Sequence, residues 1–485
     1  MRNALGLRAL LLCGTMACAG SDAFAQTNAE LLQELRALRA RVDEQSAEIE
    51  SLRAQVDAQS EVLGKANQDI GKQAELKPAF KAAPEFKDGD WKFKIRGRFM
   101  YDVGYTENPN NQIGTKALGF NSRIRRARLG VEGTMPGDFA YKAEADFHSN
   151  LVEWADLFLE WSPVKDVTLR VGHYDSFQSM EQPTSSRFIT FLERAQFTDG
   201  YNQTRRLGGS VAYANDKLYL AGGLFNEGIG ISYDNDGWLL AGRGVFMPKL
   251  DDTQLHLGAS FQHRGYNSSS LGARYRSRPN PRLTDVRFVD TGTIAADKDT
   301  QLGLEAFAIH GPLHIGGEAS WLWVNAIGPA DIGPADNIPV GAIIANGNPS
   351  FFSYYLEAGY FFTGESRGYK KSTAQWDRTK VLNPLNKGGP GAISANVRWD
   401  SLNLNDPAIQ SGGINTSSSH GGRSNALSLN LIWQPIDYVR ITTQYTRMDV
   451  KGGPYALKVN GETSGDATDY GYKVNVIGTR FAFDF

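Results

Sequence analysis

Residues Trp91 to Val103 read W-K-F-K-I-R-G-R-F-M-Y-D-V. Trp91, Phe93, Ile95, Gly97, Phe99, Tyr101 and Val103 fall on one side of an extended chain, and Lys92, Lys94, Arg96, Arg98, Met100 and Asp102 on the other. A period of two with one apolar and one polar face is the mark of a β-strand. The apolar face carries aromatic and branched residues and the polar face carries cations. Such a strand suits a soluble sandwich as well as a membrane barrel, so the rest of the chain has to decide.

No segment after the first 25 residues holds eighteen consecutive apolar residues, which excludes a helical membrane protein. The other structure that satisfies every backbone group within a bilayer is a closed barrel of alternating strands. The chain ends N-V-I-G-T-R-F-A-F-D-F (475–485), with Ile477, Thr479, Phe481, Phe483 and Phe485 on one face and Arg480, Ala482 and Asp484 on the other. An aromatic closing strand that ends on Phe resembles the assembly signal of bacterial outer-membrane barrels. Short turns are marked by Pro, Gly, Asn and Asp at 135–138, 162–166, 215–217, 247–252, 310–312, 363–366 and 434–437. Seven short turns at one end, alternating with long loops at the other, predict an all-β, 16-stranded antiparallel transmembrane β-barrel over 91–485. Thr363 to Pro390 is too long for a short turn, which makes the twelfth and thirteenth strands the hardest to place.

The barrel is expected to be preceded by three other segments. Residues 1–25 have a basic start (Arg2, Arg8), an apolar stretch and Ala23-Phe24-Ala25, the pattern of a signal peptide. Both cysteines, Cys13 and Cys18, lie within it, so the mature chain has no thiol or disulfide chemistry. Residues 26–70 carry two apolar columns at heptad spacing: Leu35, Val42, Ile49, Val56, Leu63 and Ile70, and Leu31, Leu38, Gln45, Leu52, Gln59 and Ala66. This predicts an α-helical coiled coil, expected in the periplasm. Residues 71–90 read as a polar linker.

Sixteen strands enclose an aqueous lumen, and a polar lumen implies a diffusion channel, not an enzyme. The chain has no G-x-S-x-G, H-E-x-x-H or P-loop motif, and its seven histidines show no metal-ligand spacing. No cofactor, metal or nucleic-acid partner is expected. The whole chain carries −2; Arg2, Arg8 and Asp22 lie in the first 25 residues, and residues 26–90 hold nine basic and thirteen acidic groups, leaving the barrel near +1. Selectivity must therefore come from arrangement.

The basic groups are unevenly placed. Asn121 to Glu132 reads N-S-R-I-R-R-A-R-L-G-V-E. A lysine or arginine facing lipid at the midplane costs about 2–4 kcal/mol. With Ala127, Leu129 and Val131 outward, Arg126 and Arg128 face the lumen. Arg125 is out of phase, and a β-bulge beside it would turn it inward. Alternation leaves Arg123 open between lumen and loop. Lys92, Lys94, Arg96 and Asp156 are expected to line the pore. Arg274, Arg276 and Arg278 share one face of an outer loop and are expected at the pore mouth, where they would concentrate anions.

Several stretches resemble the phosphate-selective porins O and P: G-R-F (97–99), R-R-A-R-L (125–129), W-A-D-L-F-L-E-W (154–161), L-R-V-G-H-Y (169–174) and P-T-S-S-R-F-I-T-F-L-E-R (183–194). The resemblance covers most of 91–485. It implies a homotrimer of barrels in the outer membrane, each narrowed by an inward loop. It also implies passive diffusion of phosphate, polyphosphate or other small anions. By position, Arg98, Arg125, Arg126 and Arg194 resemble the cations of the constriction, Ser185 and Ser186 its hydroxyl donors, and Arg187 a loop lysine. Gln182 replaces a second loop lysine, and Ala155 an acidic residue whose role Asp156 would take. The expected arginine ladder is thin, with Arg243 alone evident on the seventh and eighth strands. These departures keep open a general-diffusion porin with mild anion preference. A structural envelope tether, with the coiled coil reaching peptidoglycan, is the third reading.

Overall fold

The computed structural model describes residues 28–74, 79–80, 82–149, 151–230, 237–333 and 336–485, in two units, Met1–Lys77 and Pro78–Phe485. The expected signal peptide lies outside the described residues. The first unit is one helix, α1 (Asn28–Ala74). No described helix is long and apolar enough to cross a membrane. Along α1, Leu35, Val42, Ile49, Leu52, Val56 and Leu63 are all more than half exposed in the single chain.

The second unit is a closed antiparallel barrel of sixteen strands. It opens with β1 (Trp91–Thr106), β2 (Gly119–Met135), β3 (Phe139–Asp146) and β4 (Glu153–Val164). It continues through β5 (Val167–Asp175), β6 (Arg205–Ala214), β7 (Leu218–Asn226) and β8 (Trp238–Phe246). The third quarter is β9 (Thr253–Gly265), β10 (Val289–His310), β11 (Leu313–Ala326) and β12 (Ser350–Phe361). The last is β13 (Ala392–Asn403), β14 (Arg423–Ile436), β15 (Val439–Lys451) and β16 (Gly471–Asp484). β16 pairs with β1, placing Phe483 opposite Phe99 and Asp484 opposite Arg98. Closure leaves no sheet edge to be satisfied in lipid. The seam is tight: a Cβ on Gly97 would lie 2.2 Å from Cζ of Phe485, so the terminal ring requires glycine there.

Six of the seven short turns stand where Pro, Gly, Asn and Asp place them. The connection at 362–391 differs. It contains its own small hairpin, Tyr369–Lys370 against Gln375–Trp376, and enters the lumen. Trp376 is buried against Phe307 and His314, and Arg243 donates to the carbonyls of Thr373 and Ala374 at 3.3 and 2.9 Å. A long segment is accommodated at this end because its polar backbone is met by wall side chains. The expected linker is also shorter than 71–90. The helix runs to Ala74, and Pro84–Asp88 pairs with the start of β1, Asp88 opposite Trp91 and Glu85 opposite Lys94. Phe86 packs on Phe93 across this hairpin at 6.3 Å between ring centres.

The bulge anticipated in β2 is present. Met100 lies opposite Arg126 and Tyr101 opposite Ile124, leaving Arg125 without a partner in the register. Two consecutive residues thus occupy one pairing position. Arg125 and Arg126 both turn inward, while Ile124 and Leu129 keep the outer phase and are exposed. Deleting Arg125 is expected to remove the bulge without shifting either outward set, so the barrel still forms, seen as heat-modifiable migration of the purified protein. Loss of folding would show that the bulge is needed for closure.

Candidate functional site

The lumen is divided by the loop between β5 and β6 (176–204), most of which is buried. Carboxylates and amides of the far wall capture its backbone. The Glu318 carboxylate accepts the N–H groups of Met180 and Glu181 at 2.9 and 3.1 Å. Asp400 accepts the N–H of Gln196, and Gln444 that of Leu192, each at 2.8 Å. Glu181 itself pairs with Arg398 at 2.9 Å, and Glu357 takes the same guanidinium. Isolated buried charges are costly, but here each carboxylate is paired or hydrogen-bonded. Because these anchors stand on β11 to β15, the loop lies against that half of the barrel and leaves the passage along the β1 side.

At the middle of the passage Arg98 donates one guanidinium nitrogen to Oγ of Ser185 at 3.1 Å and of Ser186 at 3.0 Å. Its other nitrogen pairs with Glu144 at 2.8 Å. Arg187 donates Nε to Oγ of Ser185 at 3.2 Å and pairs with Asp484 at 3.1 Å. Four of the residues singled out by resemblance therefore meet at one point. A serine oxygen that accepts from a guanidinium keeps its own O–H to give. Such a group suits an anion that also touches the arginine.

On the long-loop side of this point the cations crowd around Glu193. Arg125 grips it with two bonds, 2.5 and 2.7 Å, and Arg480, which also forms a two-bond pair with Asp102, adds a third at 3.0 Å. Although burial pushes the Glu193 carboxyl up, Arg125, Arg282 and Arg480 hold it well below the usual carboxylate range. Arg123, Arg126 and Arg282 complete the cluster with unfilled donors. Nε and one terminal nitrogen of Arg123, and Nε of both Arg126 and Arg282, are buried without a hydrogen-bond partner. For Arg126 the closest carboxylate is Asp146, at 3.7 Å from Nε.

Other expected lining residues are compensated. Arg128 binds Asp146 at 2.7 Å and Glu144 at 3.2 Å, and Arg96 pairs with Glu132. Lys92 meets Glu85 at 3.2 Å, and Lys94 lies opposite Glu132 in register. Asp156 faces inward and is shared by Lys142 and, at 2.8 Å, Arg205. Arg243 is locked to Glu305 at 2.7 Å.

Two groups of expected cations are largely engaged by the protein itself. Arg194 is partly exposed. It braces its own loop by donating to the carbonyls of Glu181 and Thr184 at 2.7 and 2.5 Å. Burial lowers its pKa to about 10, so it remains a cation at neutral pH. Arg274, Arg276 and Arg278 share one face, alternating with the buried Ala273, Tyr275 and Ser277, but they do not form a free row. Arg274 pairs with Asp290 at 2.7 Å, Arg276 is half-buried, and Arg278 reaches Asp199 at 3.0 Å. Asp199 also takes Arg287 at 2.6 Å and Arg282 at 3.4 Å. Burial raises its pKa, but these guanidinium groups hold it well below the ordinary value. The second arginine cluster thus ties an outer loop to the inward loop. Arg480 was legible beforehand from its inward phase in the closing strand; Arg282, Glu193 and Asp199 lie in loops, where no periodicity reports orientation.

Towards the short-turn end the passage widens into a cavity of about 660 Å³. Ten lysines and arginines and six carboxylates line it, so its walls carry a positive excess among the described residues.

The descriptions of known proteins agree with this geometry. The family model "Phosphate-selective porin O and P" matches residues 93–485. An uncharacterized protein of Caulobacter vibrioides is 35% identical over 417 residues, 84% of this chain and 76% of that one. Porin O of Pseudomonas aeruginosa is 25% identical over 413 residues, 78% of this chain and 87% of that one. The fold resembles Pseudomonas putida OprB with a TM-score of 0.50 at 7% identity, covering 81% of this chain and 94% of that one. With its closed sixteen-stranded barrel and inward loop, the chain belongs to the phosphate-selective porin O and P family and is an outer-membrane porin.

Proposed function

We propose that the porin conducts small anions, with phosphate or polyphosphate held at the constriction by Arg98, Arg125, Arg126, Ser185, Ser186 and Arg187. The observation that carries this reading is the crowding of Arg123, Arg126 and Arg282 around one glutamate with unfilled N–H donors. A guanidinium fork matches two oxygens of a tetrahedral oxyanion, and the hydroxyls of Ser185 and Ser186 add neutral donors beside Arg98. Release is as necessary as binding. The carboxylates of Glu144, Asp146 and Glu193 already occupy part of each guanidinium, which weakens every single hold. The same pairing favours the second reading, a general porin with mild anion preference.

The exposed apolar columns of α1 fit the proposal of a homotrimer whose helices associate in the periplasm, since Leu, Val and Ile at heptad spacing bury themselves against copies of the same helix. Contact with peptidoglycan through this helix belongs to the tether reading.

Arg126→Ala is expected to leave folding intact and to reduce anion over cation selectivity, read as a shift of reversal potential under a KCl gradient in planar bilayers. Loss of one charge-assisted bond of ~1.5 kcal/mol corresponds to a roughly tenfold weaker phosphate hold. An unchanged potential would count against the reading. Removing residues 26–77 is expected to preserve single-channel conductance while weakening association between barrels. Loss of conductance in the shortened protein would favour a role for the helix in the passage itself.

A further inference from the structure

A second recess adjoins the constriction and shares Ser186 and Arg187 with it. It is a narrow space between Met100 of β1, loop residues 186–192, residues 377–379 of the long short-end connection, and the inner faces of β14 to β16. Two arginines of this recess differ from the others. Arg440 comes from the inner face of β15, and Arg367, which is buried, from the connection. They converge on Thr190: a terminal nitrogen of Arg367 donates to its Oγ1 at 3.3 Å and one of Arg440 to its carbonyl at 3.1 Å. Their remaining hydrogen bonds go to the carbonyls of Arg187 (3.2 Å from Arg440) and Phe188 (from Arg367). Every one of these partners is neutral.

Among the described residues neither guanidinium has a carboxylate within ion-pair distance, and Nε of each is buried without a hydrogen-bond partner. The nearby carboxylates are otherwise engaged. Asp484 is shared by Arg187 and Arg378, and Asp437 accepts the N–H of Val381 at 2.8 Å. Asp377 lines the recess but makes no ion pair. Glu181 and Glu357 act on Arg367 from beyond ion-pair distance but are bound to Arg398, so the two like charges held together away from water stay incompletely compensated.

We propose that a small tetrahedral oxyanion binds in this recess between Arg367 and Arg440, beside the constriction and separate from the Arg98 and Ser185 contact. It would accept from the two free Nε–H groups, and its charge would offset both cations. Because the same guanidinium groups hold the carbonyls of residues 187, 188 and 190, occupancy would fix the loop segment that carries Ser185, Ser186 and Arg187.

The test uses the full-length protein in detergent, with inorganic phosphate, and separately sulfate, as the probe. Thermal unfolding is followed at constant ionic strength in the Arg126→Ala background, where the passage holds phosphate weakly. The midpoint should rise with phosphate. Arg440→Gln and Arg367→Gln should each remove most of that rise while chloride conductance persists, and Asp377→Asn should lower the phosphate concentration giving half the effect. A phosphate-dependent rise that survives in both arginine variants, or no rise in the parent, would overturn the proposal. If a variant does not fold, crystals of the parent grown with selenate decide: an anomalous peak between Arg367 and Arg440 supports the site, and its absence alongside peaks in the passage refutes it.

Discussion

The structure depends on one constraint: a guanidinium cannot face hydrocarbon cheaply, while a barrel strand must show one of its two faces to lipid. Most arginines of the spanning strands therefore turn to the lumen, where cations accumulate, while Arg447 stays exposed on the outer face near the long-loop end of β15. β1 obeys this by simple alternation. β2 obeys it by a bulge that takes Arg125 out of the pairing register so that it and Arg126 face the same way. The charged interior follows from keeping charge out of lipid.

Accumulated cations then need compensation. Glu144, Asp146, Asp156 and Glu193 each serve two or more basic groups. The network also does mechanical work. Glu193 and Asp199 belong to the inward loop, and the arginines they bind belong to the wall and to the neighbouring outer loop, so the ion pairs that balance charge also hold the loop in place. Arg123, Arg126 and Arg282 nonetheless keep buried N–H donors that no protein group fills.

Much of this was legible in the sequence because alternation is local. The outward set of β1, the closing strand and six turns follow from residue phase and turn chemistry, whereas the bulge at Arg125 is favoured by the family resemblance and not by periodicity. The meeting of Arg98 with Ser185 and Ser186 came from resemblance, since a loop contact across the barrel leaves no periodic trace. Arg194 meets the same limit: position in a motif does not reveal that two of its nitrogens bind its own loop's carbonyls. The connection at 362–391 looked wrong for a short turn because it is a folded segment inside the lumen. Residues 84–88 looked like linker because Pro84 and the charged residues around it hide a short strand that pairs only once β1 is in place.

The most direct test of the account is single-channel chloride current through the purified porin as phosphate is titrated at constant ionic strength. Cations with unfilled donors at the constriction predict that phosphate reduces the current while still dilute relative to chloride, with a reversal potential of anion-selective sign. A current indifferent to phosphate, with cation-selective reversal, would contradict it.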